Sequence, residues 1–395
     1  MTRSIRTLGM AIAAASGLFA QEAKNDPFDK LFASVVPTGK ELAWRDVPWH
    51  PNFWNAVIEA QEKGQPVLLW AMNGHPMACT AGNGVRYRLW VWSDPDVRDL
   101  AKKFVPAADD VNVILSQRGP EQAALWKKIG AQGHYQRPGQ GIYALTPSGK
   151  LLASTNQRDA KAAAETLRKG LAMWESMKRE ERMMIGRPSP EPEGPSRLYP
   201  KGGLVLQAFY RDLPRKDGQV PGFWAGMWNQ DFAWFTRDEA RSLVPDSKAP
   251  GTRKAAPEKL ARRLAKYHLV DHVRGGTRPF SDAAVKNVAI TFQVIRAEGD
   301  TLRLRIEGSS LADEKGVCGY DARLQGLAAW DLKKEMFTSF QLLATGQRWG
   351  DNTLDNDRRD DPGPHPMGIA FQLAEGSDRV PPLVVTFPLG EAYFK

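Results

Sequence analysis

The spacing of apolar residues changes along this chain, and the changes divide it. Between residues 50 and 177, helical and strand patterns take turns. "NFWNAVIEAQEKG" sets Phe53, Trp54, Val57, Ile58 and Ala60 at helical spacing and stops at Gly64, which predicts an amphipathic helix with a glycine end. "PVLLWAM" is a continuous apolar run, the pattern of a strand buried on both faces. "SDPDVRDLAKKF" opens a helix with Ser93 as N-cap and Pro95 in the first turn. "VPAADDVNVIL" reads as a second strand and "GPEQAALWKKIG" as a helix. "GIYALTPSGKLLAS" is a hairpin turned at residues 147–149, and "RDAKAAAETLRKGLAMWESM" closes the series as a long helix.

A charged stretch followed by Pro188, Pro190, Pro192, Pro195 and Pro200 then interrupts both periods, because repeated prolines fix φ and remove backbone donors. Residues 179–201 therefore read as a semi-rigid linker. Beyond residue 202 the period is mostly two. "VAITFQVIRAEGDTLRLRIEGSSL" predicts a hairpin around Glu298, Gly299 and Asp300, and the segments after it continue the alternation. One amphipathic basic helix, "PEKLARRLAKYHLVDHVRGG", precedes these strands. The expected fold is an α/β N-terminal domain followed by a mostly β domain, a sandwich or open barrel with one or two helices ahead of it.

Length agrees with two domains, since a single core seldom grows beyond about 250 to 300 residues. Residues 1–20 combine Arg3 and Arg6 with an alanine-rich apolar run ending at Ala20, which reads as an export signal. The expected divisions are a signal at 1–20, a lead segment at 21–43, the α/β domain at 44–178, the linker at 179–201 and the β-rich domain at 202–395. No later run approaches the roughly 18 apolar residues of a membrane span, so the mature chain is expected to be soluble and periplasmic or extracellular. Without the signal the formal net charge of +9 falls to +7. Those charges are scattered among acids, with no basic stripe interleaved with aromatics, which argues against nucleic acid as a partner.

Chemistry concentrates at "WAMNGHPMACTAGNG", which holds Cys79, one of two cysteines. Around it stand Gly64-Gln65-Pro66 before the apolar strand, Ser93-Asp94-Pro95-Asp96-Val97, Phe104-Val105-Pro106 with Asp109 and Asp110, and Pro147-Ser148-Gly149-Lys150. In this order, over residues 44–177, these words resemble the thioredoxin-like superfamily, especially its exported and periplasmic branch. The resemblance implies a thioredoxin-like fold and places Cys79 at the family's attacking cysteine, at a helix N-terminus that favours the thiolate. Gly82 stands where the family's second cysteine would be, so a complete dithiol cycle is not expected. The family's cis-proline would fall near Gln140, and the nearest proline is Pro138. A helix starting at Thr80 would set Cys79, Asn83 and Arg86 on one face, whereas with a later start Arg86 and Arg88 would supply the electrostatic support for a thiolate. Gly82 and Gly84 instead favour a later start capped by Asn83, with Cys79 in a loop.

Three functional readings follow. In the first, Cys79 exchanges with a protein or small-molecule thiol or disulfide partner, is oxidised to a sulfenate, or bonds Cys318, while the β-rich domain selects the partner. That reading leaves oxidoreductase-like activity open and predicts an exposed thiol. In the second, the domain has lost catalysis, recognition belongs to the C-terminal part, and Cys79 is buried and inert. In the third, His75, Met77 and Cys79 offer soft ligands for copper. Trp224, Trp228 and Trp234, with Phe223, Phe232, Phe235, Asn229, Gln230 and Asp231, either line a binding groove or pack a core. His268 and His272 stand at i, i+4 spacing, which suits zinc on a helix face but reads better as structure without a third ligand. The acidic run at 351–361 lacks a calcium-loop spacing and reads as a solvated turn. Common hydrolase and phosphate-loop motifs do not occur, and the oligomeric state is left open.

Overall fold

A computed structural model describes residues 26–116, 119–190, 202–216, 218, 220, 222, 224–351, 358–374 and 393–394. The expected signal at 1–20 lies outside them, as do Phe223 and residues 191–201 of the expected linker.

The N-terminal part opens with α1 (Pro27–Val35), a 3-10 turn (Gly39–Asp46) and α2 (Phe53–Lys63). Asn52 caps α2 by accepting from the Trp54 and Asn55 amides, and Gly64 ends it in the left-handed region at φ 66°. Strand β1 (Val67–Met72) is buried along its whole length, as its unbroken apolar run predicts. After it come α3 (Gly82–Arg86), a π turn (Tyr87–Val91) and α4 (Pro95–Ala101). The cap of α4 is Asp94, one residue later than expected, its carboxylate accepting from the Val97 amide.

Strand β2 (Val105–Asp110) is shorter than its apolar pattern suggests, because Asp110 turns the chain into α5 (Val111–Ser116). Its Oδ1 accepts from the Asn112 and Val113 amides at 2.7 and 3.4 Å, a local bond that competes with the strand ladder. Next are α6 (Pro120–Gln132), the hairpin β3 (Gly141–Leu145) and β4 (Leu151–Thr155), α7 (Ala160–Ser176) and the single turn α8 (Arg179–Arg182). The sheet runs β2-β1-β3-β4, with β1 parallel to β2 and the other pairs antiparallel. The first part of the expected linker is docked on α2: the Trp54 indole donates to Ser189 O, and Gln61 pairs with the backbone of Met184.

The C-terminal part is one large antiparallel sheet. Its strands are β5 (Leu204–Asp212), β6 (Trp228–Phe235), β7 (Arg253–Ala255), β8 (Val285–Glu298), β9 (Thr301–Asp313), β10 (Cys318–Asp331), β11 (Met336–Gly350) and β12 (His365–Leu373), in the order β6-β5-β12-β11-β10-β9-β8-β7. There is no second facing sheet among the described residues, so the sandwich alternative gives way to an open, single-sheet form. Its apolar face is covered by helix instead. Leu260, Ala261, Leu264 and Ala265 of α10 (Glu258–Tyr267) pack with Leu206 and Tyr210 of β5 and with Phe292, Ile306, Leu324 and Leu342 further along. The short helix α9 (Arg237–Ser242) and α10 sit between β6 and β8, so they follow the first two strands and do not precede the sheet.

The two parts share a core. Phe209, Trp228, Leu343 and Ala370 of the large sheet join Phe32 and Val35 of α1 and the tryptophans Trp44, Trp49, Trp70 and Trp92. Arg211 reinforces the contact from the edge, donating to Val35 O and pairing with Glu41 at 2.9 Å.

Candidate functional site

The segment after β1 doubles back on itself. Ala81 N–H donates to Asn73 O at 2.9 Å, Thr80 Oγ1 bonds the same carbonyl, and Gly74 turns the chain at φ 70°. A Cβ at Gly74 would come within 2.6 Å of the Cys79 carbonyl, so only glycine fits this crossing. Cys79 lies inside the loop and is wholly buried. The helix that follows starts at Gly82 with Ala81 as its cap, and Ala81 supplies no side-chain bond. The helix starts later than Thr80 and leaves Cys79 in the loop, as the glycines favour, so Cys79 shares no helix face with Asn83 and Arg86; Asn83, however, is not the cap. Asn83 is half-buried within α3. Arg86 turns its guanidinium onto the Trp224 ring, 4.5 Å from its centroid.

Polar groups from two elements clamp the loop. Arg88, in the π turn, is wholly buried; its Nε and Nη2 donate to Pro76 O at 2.8 and 2.6 Å, Nη2 also to Ala78 O, and Nη1 to Asn229 Oδ1 at 2.9 Å. Asn229, on β6, passes its own amide hydrogens to Thr80 O and His272 O. Its neighbour Gln230 donates to Met77 O at 2.7 Å while its carbonyl accepts from Arg45 and Gln207. A forked, permanently charged donor suits this job, since it bonds several acceptors held in one plane. Burial pulls Arg88 down to about 9, so it stays a cation at neutral pH. The Tyr210 hydroxyl is also buried there, with no hydrogen-bond partner among the described residues; burial first, then Asp231 and Cys79, push its ionisation well above the ordinary value.

The copper set offers little. His75 Nδ1 accepts from the Met77 amide at 3.1 Å, so Nε2 carries the proton and faces Pro51 O at 2.9 Å. The imidazole therefore has no lone pair to give a metal. Among the described residues no cluster of three His, Cys, Asp or Glu side chains has metal-binding geometry. Cys79 and Cys318 are both thiols, so the interdomain disulfide is not formed. Cys318 opens β10, where burial and then neighbouring carboxylates such as Glu314 and Asp271 push its thiol up to about 12. The one cis proline among the described residues is Pro364, so Pro138 does not supply the family's cis bond.

The aromatic segment is mostly core. Trp228, Phe232, Trp234 and Phe235 are buried, and only Trp224 is half-exposed, its ring between the guanidiniums of Arg86 at 4.5 Å and Arg274 at 5.3 Å. It joins the two parts. Nor do His268 and His272 share a helix face, because α10 ends at Tyr267. His268 sits in a buried relay. Tyr393 Oη accepts from Trp234 N–H, which directs its own proton to His268 Nε2 at 2.7 Å and leaves Nδ1–H to donate to Asp231 Oδ2 at 3.2 Å. His272 accepts from the Thr277 amide through Nδ1, and burial lowers its pKa.

The run at 351–361 is not simply a solvated turn. Residues 352–357 lie outside the described residues, but Arg358 is wholly buried, bonding Asp212 and Asp271 with both sides of its fork. Arg348, Arg274 and Arg215 each reach Asp361, so four arginines face Asp212, Asp271, Asp360 and Asp361. Alternation marks Arg348 as a strand residue without signalling its burial. A sequence clue did exist for Arg88, a lone cation inside the apolar run "YRLWVW".

No helix of the described residues is long and apolar enough to cross a membrane. No protein-family model, curated protein or solved structure matches the chain.

Proposed function

We propose that this is an exported, non-catalytic binding protein in which a thioredoxin-like layer serves as the support for a β-rich recognition part. The thioredoxin-like assignment draws support from the succession strand, helix, strand, helix, hairpin, helix over residues 67–176. One observation carries the loss of catalysis: Cys79 is wholly buried in a loop whose carbonyls at Pro76, Met77, Ala78 and Thr80 are each taken by Arg88, Gln230 or Asn229. A thiol that attacks a protein disulfide needs access as well as thiolate character. Here the position that the family uses for exchange is an anchor between the two parts.

The charge of Arg88 near Cys79 favours one other reading, a single-thiol centre open only to small oxidants. Alkylation of the native, reduced Cys318→Ser protein across pH separates the two. The binding-protein reading expects Cys79 to label only on unfolding. Fast native labelling with a midpoint below the ordinary thiol value of about 8.5 would replace it with the thiol reading.

A further inference from the structure

We infer that the outer face of α10 carries a binding site for a small phosphate-class oxyanion. Lys259, Arg262, Arg263 and Lys266 fall at helical spacing on one side of this helix and line a cavity of about 210 Å³ together with Tyr267, Tyr393 and the acidic Asp282. Four cations so placed repel one another, and the structure neutralises only two of them. Glu239 takes Arg263 through both carboxylate oxygens at 2.8 and 2.7 Å, and Asp282 takes Lys266 at 2.8 Å. Arg262 donates to the uncharged Asp282 carbonyl, and Lys259 has no ion pair or hydrogen bond among the described residues. Lys259 lies within the field of Glu239 and Arg262 beside Asp282, so four cations set against two carboxylates leave the concavity with a net positive charge.

The floor is aromatic. Tyr393 is fixed through its hydroxyl between Trp234 N–H and His268, and its ring lies 5.5 Å from Tyr267. Arg263 stands 4.9 Å above that ring and is buried, with its Nε closed off from solvent. Four basic side chains set against the carboxylates of Glu239 and Asp282 leave a net positive place for an acceptor of negative charge. Size narrows the class. The cavity is smaller than the roughly 300 to 1,000 Å³ of sites for drug-sized ligands, which suits phosphate or pyrophosphate. The guanidinium fork of Arg262 and the point charge of Lys259 are the two donor types that phosphate oxygens attract.

This inference rests on the reading that the β-rich part does the recognising, but its test leaves Cys79 untouched, so either can fail alone. Titration calorimetry of the full mature chain with pyrophosphate, inorganic phosphate and citrate at low ionic strength is the experiment. Saturable binding of one pyrophosphate is expected, weakened about ten-fold or more in Lys259→Gln/Arg262→Gln, with Arg263 and its Glu239 pair kept intact. The control Arg305→Gln/Arg323→Gln removes the same charge from exposed strand positions and is expected to bind as the parent does. No saturable binding, equal loss in the control, no loss in the α10 variant, or citrate binding more tightly than pyrophosphate would each overturn the assignment.

Discussion

Arg88 and Asn229 stand 141 residues apart in the chain, yet the guanidinium of one donates to the side-chain carbonyl of the other at 2.9 Å with both wholly buried. This bond joins the turn after β1 to β6 and so ties the N-terminal layer to the large sheet. Arg88→Met would strand the carbonyls of Pro76 and Ala78, while Asn229 Oδ1 would keep only the Gln230 amide. A loss of about 3 kcal/mol or more is expected in urea unfolding, since each buried acceptor left without a donor costs roughly 1–3 kcal/mol. Native labelling of Cys79 should appear in the same variant, and Asn229→Ala should add less than its own cost on top.

Asp110 gives a pH signature. Burial, aided by the charge of Asp109, pushes its carboxyl up to about 6 against the bonds from Asn112 and Val113. A raised acid binds its proton more tightly in the folded state, so its contribution is complete below the ordinary value of about 3.9 and is lost as pH rises through about 6. Asp110→Asn keeps the Oδ1 acceptor and removes the ionisation. Denaturant midpoints measured between about pH 4 and 7 should therefore show the variant gaining on the parent as pH rises, by on the order of 2–3 kcal/mol.

Gly84→Ala should destabilise, although alanine usually gains about 1 kcal/mol over glycine inside a helix. The new Cβ would sit 2.2 Å from Thr80 Oγ1 and 2.6 Å from its Cγ2. Overpacking of that kind costs roughly 1–3 kcal/mol. Thermal unfolding of Thr80→Ala/Gly84→Ala checks the cause, because trimming Thr80 should recover part of the loss.

Arg358→Met removes the cation that bonds Asp212 and Asp271. Breaking a buried pair from one side costs about 3–5 kcal/mol, and a urea titration should show it. Burial raises Asp271, but Arg358 and then Arg348 outweigh it and hold the carboxyl well below the usual carboxylate range. Stability from such a group is present above its unfolded value and lost as pH falls through its folded one, so the parent resists acid further than the variant. An acid titration followed by circular dichroism should place the variant's transition at higher pH.

Much of the local structure was legible because it rests on neighbours in sequence. The unbroken run of β1, the Gly64 stop of α2 and the turn at Gly299 needed only period and glycine chemistry. The family-like words also have local causes: Asp109 Oδ2 accepts from the Phe53 amide and Asp110 turns the chain into α5. What escaped was decided at a distance. The partners of Arg88 and Arg358 come from strands far away in the chain, and a charged residue in a strand-like run looks the same whether it meets water or a buried carboxylate. Cys79 shows the limit most plainly, since its place beside an apolar strand was readable and its complete burial depended on Asn229 and Gln230.

The core shared by α1, the tryptophans and the large sheet has a consequence in time. Phe209 and Trp228 emerge during synthesis long before Leu343 and Ala370, which complete the same cluster. Until the ribosome has passed residue 370 the N-terminal layer lacks part of its cover, and β5 lacks its partner β12. Such late, long-range closure slows folding and leaves an adhesive intermediate. The N-terminal core and the centre of the large sheet are thus completed by the same late segment of chain.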